Sequence, residues 1–278
     1  MTRSNALGDH LRARRELVDP ASVGLRVAGV RRTPGLRREE VATLAGISAD
    51  YYLRLEQGRD RNPSPQVLRA LARVLQLDTE ATRYLMGLAA PEVRRAPRPA
   101  AVPAGIRQLL DVLNVPAFVE DRTFDVLAAN RLATALWPGL RPGTNRLRAV
   151  FLDPDERDLL PDWEHAIGGM VAAFRSSIGT DVDDPRIVRL VGELSLASEP
   201  FRRLWARHDV AALAGGPVRL RHPRLGDLEL RREKLPIGDT GGQLLVLHHA
   251  APGSASAAAL ASLAEETGDR QDRAASSR

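Results

Sequence analysis

In the stretch VATLAGISADYYLRLEQGR, residues 41–59, a cluster of hydrogen-bonding and small side chains follows a glycine: Ser48, Ala49, Asp50, Tyr51, Arg54 and, just beyond, Arg59. Together these types suit the reading of nucleic-acid edges. A guanidinium donates in a fork to guanine or phosphate oxygens, a carboxylate accepts from a cytosine amino group, and a hydroxyl does either. Arg38 adds a cation at the start of the preceding element. Other chemistry is sparse. His208–Asp209 with His222 is the arrangement that suggests acid–base or metal work, and its preferred reading is a hydrogen-bonded buried histidine and a turn histidine. His248 and His249 alternate faces of a strand and cannot both enter one site. There is no G-x-S-x-G elbow, P-loop, dinucleotide fingerprint or H-E-x-x-H. With zero cysteines, disulfides and thiolate sites are excluded. Neither an enzyme nor a resident cofactor or metal is expected.

The elements that must position the cluster are legible around it. An apolar helical pattern over about 37–45 stops at Gly46, and another starts at Ser48 and runs to about 58. Gly46 supplies a left-handed conformation at no steric cost, Ile47 turns inward, and Ser48 caps the next helix. That is a helix-turn-helix unit, which would place the N-terminal end of its second helix in a major groove. Further helices are predicted over 7–18, 65–76 and 79–89, with Pro20, Gly24, Gly29 and Pro34–Gly35 marking a loop or wing between the first two. The charge is placed accordingly: residues 1–90 carry 15 Arg and 10 acids, whereas residues 106–278 carry 22 Lys+Arg and 24 acids. An excess of this size fits a nucleic-acid partner but would also serve solubility.

The motif REEVATLAGISADYYLRLEQGRDRNPSPQVLRALARVLQL resembles the Xre or lambda-repressor-like helix-turn-helix family. The resemblance implies that Arg38 contacts phosphate, that Ser48, Ala49, Asp50 and Arg54 face bases, that Glu56 pairs with a first-helix arginine (Arg15), and that Arg59 contacts backbone. Tyr51 is grouped with this surface and Tyr52 with the core. The amides that commonly read adenine are replaced by Ala49 and Asp50. In the insertion 19–35, Arg26, Arg31 and Arg32 are placed to track phosphates.

A 278-residue chain predicts two domains. A Pro/Arg-rich linker is expected at 91–103, a second domain at 104–252 and a disordered tail at 253–278, where Ala, Ser and charge dominate. Within the second domain, alternation predicts paired strands in VPAFVEDRTFDVLAAN and PVRLRHPRLGDLELRREKL and another in GQLLVLHHA, with helices across 130–207. Aromatics gather in that helical middle: Trp137, Phe151, Trp163, Phe174, Phe201 and Trp205. They line either an apolar pocket or a plain core, and Asn130, Arg175 and His208 interrupt the apolar surface as polar anchors.

The segments PAFVEDRTFDVLAANRLATALWP, FLDPDERDLLPDWEHAI, FRRLWARHDV and RHPRLGDLEL are similar to the C-terminal domain of MmyB-like regulators. This implies a PAS-like antiparallel sheet with helices enclosing a pocket, and a fatty acid as ligand class, with Arg175 and then His208 as carboxylate anchor. The expected molecule is therefore α+β. A five-helix, all-α DNA-binding domain at 1–90 precedes a PAS-like domain whose ligand site holds Asn130, Trp163, Phe174, Arg175, Trp205 and His208. Its partners are double-stranded DNA, an apolar effector and a second copy of the chain. A cytoplasmic location is expected, because MTRSNALGDHLRARREL lacks a signal-peptide core and no long apolar run exists. Two rivals are a second domain that only dimerises, and a DNA-tethered enzyme built on His208, Asp209 and His222.

Overall fold

The structure, a computed structural model, describes residues 5–25, 35–60, 62–90, 101–179, 181–212 and 214–276. The chain forms two compact units, Met1–Val93 with Val171–Ala212, and Arg94–Met170 with Leu213–Arg278. Linker residues 91–100 and the loop arginines Arg26, Arg31 and Arg32 lie outside the described residues.

In the first unit, α1 (Ala6–Leu17), α2 (Arg38–Ala45), α3 (Ala49–Glu56), α4 (Pro65–Val74) and α5 (Thr79–Ala89) form the expected five-helix bundle. Their starts are written into the sequence: Asn5, Ser48, Ser64 and Asp78 each accept a first-turn backbone N–H, and Pro65 sits where its missing N–H costs nothing. The caps and apolar spacing turn Leu11, Val41, Tyr52, Leu55, Leu71 and Leu75 into one core, each no more than 1% exposed. To this unit the chain adds the end of α10 (Trp163–Ile178), α11 (Pro185–Ala197) and α12 (Glu199–Ala206). These residues were expected to belong with the sheet. Within this unit Arg14 of α1 pairs with Asp209, and the His10 ring of α1 lies 6.1 Å from that of His208.

The second unit is built on a five-stranded antiparallel sheet of β1 (Ala117–Glu120), β2 (Val126–Ala129), β3 (Gly216–His222), β4 (Gly226–Pro236) and β5 (Leu244–His249), in the order β2-β1-β5-β4-β3. Register sorts its two faces. Phe118 opposes Val246, Glu120 opposes Leu244, Arg232 opposes His248 and Lys234 opposes Val246, so these share one face. The core residues Val126, Leu220, Leu228 and Leu230 lie on this face too, packed with Leu132 and Leu136 of α7 (Arg131–Leu136). The opposite face buries Ala117, Val119 and Leu245 against Leu110 of α6 (Ala104–Val112), a helix that the sequence reading did not anticipate. The expected disordered tail is a helix, α13 (Ala255–Ser276). Its Ala259, Leu260, Leu263 and Ala264 make a stripe at helical spacing that packs into the sheet core, with Leu263 buried. Composition alone concealed that stripe. Two short helices, α8 (Arg146–Leu152) and α9 (Pro154–Asp158), complete the unit.

Candidate functional site

The turn after α2 is built as its residue types demand. Gly46 adopts φ +70 and ψ 34, and the Ile47 N–H reaches back to the Ala42 carbonyl at 3.0 Å, closing the helix end. Ser48 Oγ then accepts from the Tyr51 N–H at 3.1 Å and opens α3. Ser48, Ala49, Asp50, Arg54 and Arg59 are exposed, Tyr51 and Leu53 are half-buried, and Tyr52 and Leu55 are core.

Two features refine the reading of individual side chains. Arg54 pairs with Asp50 one turn earlier and lies over the Tyr51 ring at 5.7 Å. Asp50, Tyr51 and Arg54 therefore form one presented group in which the carboxylate and ring hold the guanidinium. Behind them, fully buried Glu56 accepts from Arg15 Nε at 2.7 Å and from Arg38 Nε at 2.6 Å, while Arg15 also donates to the Leu36 carbonyl at 2.8 Å. Burial alone would raise the Glu56 pKa, but the hydrogen bonds and charges of Arg15 and Arg38 outweigh it and hold the carboxyl below its usual range. The expected Arg15–Glu56 pair is thus present. Arg38 belongs to the same lock, which fixes its stem and leaves 43% of the side chain exposed. Asn5 donates to the Glu56 carbonyl at 2.7 Å, and a Cβ on Gly8 would lie 2.3 Å from that same oxygen, so α1 is seated directly on the end of α3.

Of the six residues expected to bind ligand, four belong to one unit and two to the other. Phe174, Arg175, Trp205 and His208 come together in the helical unit. There the Phe174 and Trp205 rings are 5.7 Å apart, Arg175 lies 3.7 Å from the Trp205 ring centre, and Arg175 reaches His208 Nδ1 at 3.3 Å. Burial, then the Arg175 and Arg14 charges, hold His208 at about 3, so its imidazole is neutral at pH 7. Asn130 and Trp163 lie in the sheet unit. Asn130 is spent on the backbone: it accepts from Ala117 and Ala133 and donates to Leu113 and Val115. Trp163 donates to the Val150 carbonyl at 3.0 Å and packs its ring on Phe151 and Arg157. His222 serves its turn, accepting from Arg224 and Leu225 N–H groups, and falls in a different unit from His208. Among the described residues no group of three or more His, Asp or Glu is placed to hold a metal.

The residues that sequence reasoning missed lie across the inner face of the sheet. Glu120 is fully buried, with Arg146 on one oxygen at 2.7 Å and Lys234 on the other at 2.8 Å. Arg146 lies 5.2 Å from the Phe118 ring centre, which stacks 6.1 Å from His248. Arg232 opposes His248 across the strand pair. One signal was available: Lys234 is the sole lysine of the chain.

No helix of the described residues is long and apolar enough to cross a membrane. In comparisons with known proteins, residues 6–85 match the family described as a helix-turn-helix domain, and residues 102–263 match the MmyB-like transcription regulator ligand binding domain. No curated protein matches the chain.

Proposed function

The chain belongs to the MmyB-like transcription regulators, and from that premise we propose a cytoplasmic, sequence-specific regulator that binds operator DNA as a homodimer and responds to an apolar acid, with a fatty acid as the ligand class. The observation that carries the DNA-reading half is the Asp50–Tyr51–Arg54 group, presented at the N-terminal end of α3 and backed by the Arg15–Glu56–Arg38 lock. In this reading Arg54 donates to a guanine edge, with Asp50 and Tyr51 setting its direction, and Arg38 and Arg59 meet phosphates. Two protomers would enter successive major grooves about one helical turn, roughly 34 Å, apart.

Response to a ligand requires that it bind DNA-competent and DNA-incompetent states unequally. A route for such coupling is suggested by the chain path: residues 171–212 lie within the segment matched to a ligand binding domain, yet group with the DNA-binding helices, and the unit boundary falls inside α10.

A second reading, in which the C-terminal part serves only dimerisation, is favoured by Val188 and Leu196 of α11, which are 55% and 88% exposed on one side of the helix.

The test is binding of the full chain to a selected site and to a scrambled duplex. Arg38→Ala should weaken both and flatten the salt dependence by about one phosphate contact. Arg54→Ala should cost about 1–3 kcal/mol on the selected site alone. Equal loss on both duplexes for Arg54→Ala would overturn the assignment.

A further inference from the structure

The inner face of the sheet holds more positive charge than its own carboxylate can answer. Both oxygens of Glu120 are already taken, one by Arg146 and one by Lys234. Arg232 is on the same face, and its Nε is enclosed without a hydrogen-bond partner. Beside it His248 is fully buried with neither ring nitrogen bonded. Ring faces offset part of this, since Arg146 lies over Phe118 and Lys234 over Phe124, both at 5.2 Å. Such contacts are weaker than the cost of desolvating an unpaired ion. They also provide no acceptor for Arg232 Nε or for the imidazole N–H. Glu156 is the other buried acid nearby, and it is committed to the Trp137 indole and the Gly139 N–H. Burial and the neighbouring cation Arg146 depress Arg232 to about 10, and burial, Arg146 and Arg232 depress His248 to about 3, so the imidazole is a neutral N–H donor at pH 7. Phe118, Val246 and Leu230 continue the same face as an apolar surface.

We infer that Arg146, Arg232, Lys234 and His248 form a binding site for the oxyanion headgroup, carboxylate or phosphate, of a ligand whose body is apolar. Three cations against one carboxylate leave a surplus of two charges, which one such headgroup neutralises partly or fully. Arg232 and His248 supply the N–H donors, and Glu120 holds Arg146 and Lys234 in place. The inference rests on the ligand-binding reading above and moves the acid anchor from Arg175 to the sheet.

The test uses the full chain with decanoate, decyl phosphate and decan-1-ol below their micelle concentrations, read by thermal shift and calorimetry. The two anions should raise the melting temperature and the alcohol should not, with the stronger anion showing whether one charge or two is read. Arg232→Met should raise the melting temperature of the unliganded protein, because a half-buried guanidinium whose enclosed Nε has no acceptor is removed, and should weaken anion binding ~10–100-fold, as loss of a charge-assisted hydrogen bond does. His248→Phe, which preserves the ring stack, should weaken it about tenfold. Arg231→Met, one residue away on the opposite face, should change neither. An alcohol as effective as the anions, an Arg232→Met protein that binds anions normally, or one that is destabilised while unliganded would each overturn the inference. DNA binding by the same protein is measured separately, so loss of the anion site leaves the regulator reading standing.

Discussion

At the scale of single residues, the contrast between Glu56 and Asp50 separates stability from function. Each is paired to an arginine, but Glu56 is buried and Asp50 is exposed. Glu56→Ala would leave Arg15 charged and enclosed, and should cost about 3–5 kcal/mol in urea unfolding. An exposed pair spaced i,i+4 contributes only about 0.3–0.5 kcal/mol, so Asp50→Ala should leave stability nearly unchanged while loosening the aim of Arg54. Near-equal stability losses for the two variants would contradict the lock. The Arg15–Glu56 pair was legible from the family resemblance, which pairs Glu56 with a first-helix arginine. The Glu120 cluster was not, since Arg146 lies on α8 and Lys234 on β4, and no motif ties either to β1. Only the register that brings β1, β5 and β4 together places Glu120 and Lys234 on one face.

At the scale of elements, caps and punctuation carried most of the information. Gly46, Ser48, Ser64 and Pro65 mark helix ends through local backbone chemistry, and the helices begin and end where that chemistry requires. The tail shows the limit of composition. Its alanines and charges read as disorder, yet alanine is also the strongest helix former, and the stripe through Leu260 and Leu263 meets the sheet core. Ser256 adds a tie by accepting from the Glu229 N–H at 2.9 Å. Leu263→Ala should therefore destabilise the sheet unit by about 2–4 kcal/mol, as truncation of a fully buried leucine does. A loss under 0.5 kcal/mol in thermal unfolding would mean that α13 is dispensable. The assignment of 171–212 was beyond local reading for a different reason. Arg14–Asp209 and the contacts of Arg175 are tertiary choices with no periodic signature.

At the scale of the whole molecule, the buried imidazoles of His10 and His248 and the Glu120 carboxyl respond to acid in the same direction. His10 and His248 are fully buried and held at about 3, chiefly by burial and then by neighbouring cations and, for His10, by His208. Glu120 is held at about 2, because the charges and hydrogen bonds of Arg146 and Lys234 outweigh its burial. Below pH 6.5 the unfolded chain takes up imidazole protons that the folded chain refuses, so stability falls as the pH drops. Each of these two imidazoles contributes up to about 1.4 kcal/mol per pH unit. Below 4.5 the loss steepens as Glu120 protonates in the unfolded chain first. Urea midpoints should therefore decline steadily from pH 7 to pH 5, and a flat profile there would show these imidazoles to be hydrated or paired.

The central claim is that one chain couples an anionic apolar ligand to operator binding, and the affinity of the full-length protein for its selected DNA with and without saturating decanoate tests it most directly. The account predicts a change of about 5–150-fold, the range of ordinary allosteric coupling, matched by a reciprocal change in decanoate affinity when DNA is bound. Identical DNA affinities, under conditions where calorimetry shows decanoate bound, would contradict it.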